Sequence, residues 1–215
     1  MKQSTEIIIE DLIKRYSILS CVKKKIFEAT GFIIDCYCTK GKVMICGNGG
    51  SASDALHMVG ELMKSFVLPR TLSIKQKNRI SKFSDNGDYL ASHLQEALPA
   101  MSLVGEIALH TACANDIASD LCFAQQVYGY GHANDVLFVI STSGNSKNVI
   151  YAAEVAMAKE IVVIGLTGAL GGKLKNKCDC IINVPATDTY AIQELHMPVF
   201  HAICLAVENE FFGKD

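Results

Sequence analysis

His57 and Glu61 stand four residues apart in the run Asp54-Ala-Leu-His-Met-Val-Gly-Glu61, so on a helix one face carries both, at a separation suited to one proton-transfer centre or one metal ion. Far downstream, Tyr190-Ala-Ile-Gln-Glu-Leu-His-Met-Pro-Val-Phe-His201 sets Gln193, Glu194, His196 and His201 into an otherwise apolar helix. A histidine on an apolar face is ordinarily a hydrogen-bonded core residue. His201 gains a chemical role only if the fold brings it to Glu61. Pro198 is tolerated cheaply only in a first turn, which predicts a helix starting near it or kinked there.

Two loops could hold a ligand for such groups. After the apolar run Val43-Met-Ile-Cys46, the stretch Gly47-Asn-Gly-Gly-Ser-Ala-Ser53 combines Gly47, Gly49 and Gly50, which permit close backbone approach, with the donors of Asn48, Ser51 and Ser53 at a helix N-terminus. An anionic or polyhydroxylated ligand suits that setting. The plan repeats: Asp135-Val-Leu-Phe-Val-Ile140 opens onto Ser141-Thr-Ser-Gly-Asn-Ser146, four hydroxyls before a second helix, with Lys147 close enough to add charge. The bland alternatives are a glycine turn and a hydroxyl-rich turn capped by Asn145 or Ser146, and capping is compatible with phosphate binding.

Positioning these loops requires strands, and the pattern predicts five: 42–46, 99–103, 135–140, 161–166 and 180–184. Helical patterns at 52–66, 105–129 with a break, 145–159 and 189–212 alternate with them, as in a parallel sheet covered on both faces, an α/β/α sandwich. Over 5–38, Ile9, Leu12, Ile13, Tyr16, Leu19, Ile26, Phe27 and Ile33 recur at helical spacing and predict a long N-terminal helix whose apolar stripe needs a partner. Residues 68–98 are polar and too long for a turn, and read as a lid or interface insertion. Thr167-Gly-Ala-Leu-Gly-Gly-Lys173 falls on the same rim as the two donor-rich loops.

The chain has 215 residues, half of them hydrophobic, which suits one α/β domain. Twenty Lys plus Arg against 22 Asp plus Glu leave no basic surplus for nucleic acid. The apolar runs are strand-sized rather than membrane-spanning, and the acidic interruptions of the N-terminus do not suit a signal peptide. A cytoplasmic protein is expected, with its nine scattered cysteines reduced and mostly acting as small buried hydrophobes.

Taken in order, Cys46-Gly-Asn-Gly-Gly-Ser-Ala-Ser-Asp-Ala-Leu-His57 with Glu61-Leu62, Ala114-Asn-Asp116, Ile140-Ser-Thr-Ser-Gly-Asn-Ser146 with Asn148, Leu166-Thr-Gly168 with Gly171-Gly-Lys173, and Ile192-Gln-Glu-Leu-His196 with His201 resemble the sedoheptulose-7-phosphate (phosphoheptose) isomerases of the sugar isomerase, or SIS, superfamily. The resemblance runs through nearly the whole chain. It implies a single SIS domain over 1–215 with a five-stranded parallel sheet, residues 1–38 as an oligomerisation region, and a homotetramer with sites between subunits. It also implies aldose-ketose isomerisation of sedoheptulose 7-phosphate to D-glycero-D-manno-heptose 7-phosphate, the first step of bacterial heptose synthesis for lipopolysaccharide. By position, the phosphate contacts fall on Ser51, Ser141, Thr142, Ser143 and Ser146, with Gly49 and Gly50 in the same loop. Asn48, Asn115, Asp116, Thr167 and Gln193 line the sugar pocket. The acid/base pair falls on Glu61 and His201, and a zinc site on His57, Glu61, Gln193 and His201. Many members carry arginines where this chain has Ser65 and Ala191. A non-catalytic phosphosugar-binding adaptor or regulator of the same fold, or an isomerase of a different ketose phosphate, is the alternative. On one continuous helix Gln193 and His201 would be roughly 12 Å apart by rise, so one ion would reach both only at full side-chain stretch, which a bend at Pro198 or donation from two subunits would relieve.

Overall fold

Alternation along the strands divides the interior into two cores, because successive side chains of a strand point to opposite faces. Val43 and Ile45 pack on one face with Val136, Phe138, Ile140, Ile164 and Leu166, while Met44, Cys46, Leu137, Val139 and Val163 pack on the other. Both faces are apolar, which is why the strands read as continuous hydrophobic runs. The structure, a computed structural model, describes residues 1–214; Asp215 lies outside the described residues.

The chain begins with α1 (Gln3–Arg15) and α2 (Lys23–Cys38), then β1 (Val43–Gly47), α3 (Gly50–Met63), α4 (Ile74–Lys82), α5 (Gly87–His93) and β2 (Ala100–Ser102). It continues with α6 (Ile107–Asp116), α7 (Cys122–Tyr130), β3 (Val136–Ser141), α8 (Lys147–Ala158), β4 (Val162–Thr167), β5 (Cys180–Asn183) and α9 (Thr189–Phe212). The strands form one all-parallel sheet in the order β2-β1-β3-β4-β5, with Val43 beside Val136 and Val136 beside Val162. The order reverses between β1 and β3, so the loops leaving those two strands diverge to opposite sides and leave a crevice at the sheet's C-terminal rim. Those are the glycine-rich and serine-rich loops.

The expected long N-terminal helix is two helices. A short 3-10 helix over Ser17–Val22 separates α1 from α2, where Tyr16 leaves helical geometry and Ser17, Ser20, Cys21 and Val22 are poorer helix formers. Its apolar stripe is covered within the chain: Ile9, Leu12, Leu19, Ile26 and Ile33 are fully buried, and α1 packs on α9, where the Asn209 amide donates to the hydroxyls of Ser4 and Thr5. The stripe therefore does not by itself call for a second subunit.

Helix α9 runs through Pro198 from Thr189 to Phe212, so it does not start there. Residues 68–98 hold α4 and α5, the first opened by a Ser73–Gln76 capping box. Their base is closed where Glu96 N–H donates to the Arg70 carbonyl and Thr71 bridges Gln95. The hairpin exposes Ile74, Phe83 and Tyr89. Among the described residues no helix is long and apolar enough to cross a membrane.

Candidate active site

At the end of β1 the chain must turn directly into α3, and glycine makes the turn possible. Gly49 holds φ of +56°, and a Cβ on Gly47 would lie 2.6 Å from the Ser51 carbonyl oxygen. Ser51 is buried in the first turn of α3. Asn48 reaches across to the start of α8 and exchanges two 2.9 Å amide hydrogen bonds with Asn148, tying the glycine-rich loop to the helix that follows the serine loop.

The serine loop is folded on itself. Ser141 Oγ accepts from Gly144 N–H at 3.2 Å and lies 3.4 Å from Ser146 Oγ, while Ser143 Oγ accepts from Asn145 N–H at 3.1 Å. Gly144 has φ of +64° and lies so close to Gly171 that a Cβ would stand 2.0 Å from the Gly171 carbonyl oxygen. Lys173 N–H donates to Asn145 Oδ1 and Leu174 N–H to the Gly144 carbonyl, so the loop after β4 braces the loop after β3. Thr142, Ser143, Asn145, Gly168 and Ile192 line a pocket of about 190 Å³ here. Thr167 is fully buried beneath it, accepting from the Asn183 amide, and supports the floor rather than facing the pocket.

The chemical groups meet between α3 and α9. His57 Nε2 lies 3.3 Å from Glu61 Oε1, as the spacing of four requires, and His201 Nε2 lies 3.3 Å from His57 Nε2. Two residues some 140 positions apart thus complete one cluster, with Phe200 edge-on to His57 and Phe66 tilted against His201 at 5.6 Å between ring centres. Burial, with the nearby His57, pushes the His201 pKa down, while Glu61 opposes that shift. A neutral imidazole at neutral pH can accept a proton.

Gln193 is held elsewhere. It lies over the start of α3, where a Cβ on Gly50 would come within 2.4 Å of its Nε2. It lines a separate opening of about 430 Å³ with Gly50, Ser53, Asp54, Tyr190 and Met197. Because α9 is unbroken, Gln193 and His201 are separated by roughly 12 Å of helix rise, so one chain does not bring both to one ion. His57, Glu61 and His201 have the donor types of a zinc site, with His57 Nε2 lying 3.3 Å from each of the other two. Among the described residues, however, no group of three or more His, Cys, Asp or Glu side chains is arranged to hold a metal. Asn115 and Asp116 end α6, exposed and bonded to each other at 2.7 Å, and line neither of the two pockets above.

Three features were not singled out in the sequence as functional. Arg70 and Glu208 form a buried ion pair beside the cluster. Asp54 Oδ2 is buried without a protein partner, and burial raises its pKa. His196, fully buried, makes no hydrogen bond through either ring nitrogen. The sequence carried a signal for His196, already visible as a polar residue in an apolar helix, and for Glu208, a carboxylate seven residues after His201 on the same helix.

The SIS domain family profile matches residues 83–168. The chain is 41% identical over 184 residues to a phosphoheptose isomerase of Rhodospirillum rubrum, covering 86% of this chain and 85% of that protein. It is 35% identical over 208 residues to phosphoheptose isomerase 2 of Campylobacter jejuni, covering 97% and 89%. Among solved structures it resembles a phosphoheptose isomerase from Francisella tularensis, with a TM-score of 0.75 at 30% identity over 97% of this chain and 100% of that one. The corresponding enzyme from Neisseria gonorrhoeae gives 0.71 at 32% identity over 92% and 94%. With a five-stranded parallel sheet, paired loops at the switch point and the His57–Glu61–His201 cluster in place, the chain belongs to the phosphoheptose isomerase family of SIS-domain proteins.

Proposed function

We infer that the chain isomerises a phosphorylated ketose to its aldose, with sedoheptulose 7-phosphate and D-glycero-D-manno-heptose 7-phosphate as the pair. The observation that carries this is the meeting of Glu61, His57 and His201 between α3 and α9, since binding alone needs no acid/base cluster. Moving a carbonyl between C1 and C2 means removing a proton from the adjacent carbon, passing through an enediol, and returning a proton to the neighbouring carbon. Glu61 and His201 take these two roles. His57 sits between them, and its contact with each restricts both side chains.

The serine loop holds the phosphate through Ser143, Thr142 and the helix start behind them, and the binding energy of that remote group fixes the reacting end. Gln193, Gly50 and Asn48 offer hydrogen bonds to sugar hydroxyls. Zinc belongs to this reading as a proposal: on His57, Glu61 and His201 it would polarise the carbonyl. Because one chain does not gather the full donor set, the proton transfers are assigned here to the protein groups alone.

The position of the family arginine after the glutamate is occupied by Ser65, whose hydroxyl donates to the Leu68 carbonyl and whose N–H donates to the Gln95 side chain. No cation is offered to the substrate from that position, and Ala191 offers none at the other. The assembly proposed is a homotetramer in the cytoplasm, acting in heptose supply for lipopolysaccharide; light scattering of the purified protein tests the tetramer. The reaction is tested by incubating the protein with C5 to C7 sugar phosphates in D2O, with and without zinc, and following the anomeric carbons by NMR. Interconversion of the C7 pair with solvent deuterium at C2 of the aldose is expected. Binding without interconversion or deuterium uptake would mark a phosphosugar-binding protein instead.

A further inference from the structure

The two acid/base groups sit on different helices, Glu61 on α3 and His201 on α9, and a buried ion pair joins those helices just beyond them. Arg70 is fully buried and donates from Nε to Glu208 Oε1 at 2.8 Å, from Nη1 to the Leu62 carbonyl at 2.6 Å, and from Nη2 to the Glu61 carbonyl at 3.0 Å. Those carbonyls belong to the last turn of α3, where no partner exists within the helix. The guanidinium lies 4.9 Å from the centre of the Phe212 ring, which fixes its plane.

Glu208 is engaged just as fully. Besides Arg70, its carboxylate accepts the N–H groups of Phe66 at 2.8 Å, Val67 at 2.9 Å and Leu68 at 3.1 Å, wrapping the segment that follows α3 around α9. Burial would raise its pKa, but these donors outweigh it and hold the carboxyl below the usual range. Glu208 is seven residues, or two turns, beyond His201 and so shares its face of α9. Phe66, held at its N–H by Glu208, lays its ring against His201.

We propose that Arg70 and Glu208 are positioning residues for the proton transfer. Together they fix the end of α3 that carries Glu61 against the stretch of α9 that carries His201, and they seat Phe66 on the His201 ring. This rests on the isomerase reading above. A buried ion pair is a poor device for stability alone, since apolar packing of equal volume serves as well. What the arginine fork adds is geometry: one planar group binds one carboxylate on α9 and two carbonyls on α3. Proton transfer is sensitive to that geometry, a misplacement of ~1 Å costing on the order of a hundredfold in rate.

The test is steady-state kinetics on the sugar phosphate that the parent protein turns over, at a temperature well below each variant's melting midpoint. Arg70→Lys keeps the positive charge beside Glu208 but loses the fork. The expected result is a fall in kcat of about tenfold with KM within about twofold, because the phosphate contacts lie on the serine loop and the sugar contacts Gly50 and Gln193 lie at the far ends of α3 and α9 from the ion pair. The paired variant Arg70→Met with Glu208→Gln leaves no stranded charge, and covers the case in which Arg70→Lys does not fold; the same split is expected. Unchanged kcat per folded molecule in either variant overturns the proposal and leaves the pair as scaffold. A parent that interconverts none of the sugar phosphates overturns the isomerase reading, and this inference with it, whereas an active parent with an equally active Arg70→Lys overturns the inference alone.

Discussion

Mild acid should weaken this fold through His196 before its carboxylates protonate. The ring is fully buried in α9, and burial lowers its pKa from 6.5 to about 4. Between those values the unfolded chain binds a proton that the folded chain refuses. Stability rises with pH wherever the unfolded state binds more protons, so the contribution is complete above pH 6.5 and is lost as pH falls toward about 4. At ~1.4 kcal/mol per pH unit, the loss across that window is on the order of 3 kcal/mol. His201, whose pKa is also lowered, adds a slope of the same sign. Glu208 does not, since its depressed pKa releases stability only below the ordinary carboxylate range. The perturbation that isolates His196 is His196→Leu, which keeps an apolar side chain of similar bulk and removes the titrating group. Urea unfolding at fixed protein concentration, from about pH 7.5 down to about pH 4.5, should give a parent whose midpoint falls steeply and a variant whose midpoint falls much less. A variant with the parent's slope would show that His196 is not the group being protonated.

Three further outcomes follow from the site. Glu61→Gln should lower kcat at least about a hundredfold while phosphosugar binding, measured by calorimetry, survives, and His201→Asn should behave alike; turnover retained in both would displace the acid/base assignment. Ser143→Ala should raise KM more than it lowers kcat, because an anchoring hydrogen bond made equally in ground and transition states is uniform binding; the reverse split in kinetics would place Ser143 at the reacting end. Gly144→Ala forces a Cβ toward the Gly171 carbonyl at a φ of +64°, so the serine loop must shift, with a loss of about 1–3 kcal/mol by urea unfolding and weaker inhibition by inorganic phosphate; an unaffected protein would mean that the loop has slack.

How much of this could be read from sequence depends on the distance over which the physics acts. The sheet was legible because a strand buried on both faces is apolar throughout, and the five expected runs agree with the observed strands to within two residues at either end. The pairing of His57 with Glu61 was legible because helical spacing alone fixes it. The break at Ser17–Val22 was missed since an apolar stripe at helical spacing continues across two turns of 3-10 helix. Pro198 misled as a helix start: its missing N–H and the clash of its ring with the preceding turn favour a first-turn position, yet the helix begins at Thr189 and runs through, with Val199 and Phe200 fully buried.

The least legible part was what joins one helix to the next. Arg70 belongs by sequence to the start of a polar segment, and Glu208 to the end of an apolar helix, with 137 residues between them. Nothing local predicts that they meet. Their contact follows from how α9 lies along α3: Gln193 stands over Gly50, and eight residues later His201 stands against His57. Seven further on, Glu208 meets the segment that leaves α3. Near-equal steps along both helices mean that they run side by side in the same direction, so a shift of one turn would move each of these contacts by ~5.4 Å. The glycine at position 50, the paired imidazoles and the buried arginine are therefore three readings of a single register. A substitution that slips α9 would disturb the ligand end, the reacting end and the clamped end together, which separates it from any change confined to one of them.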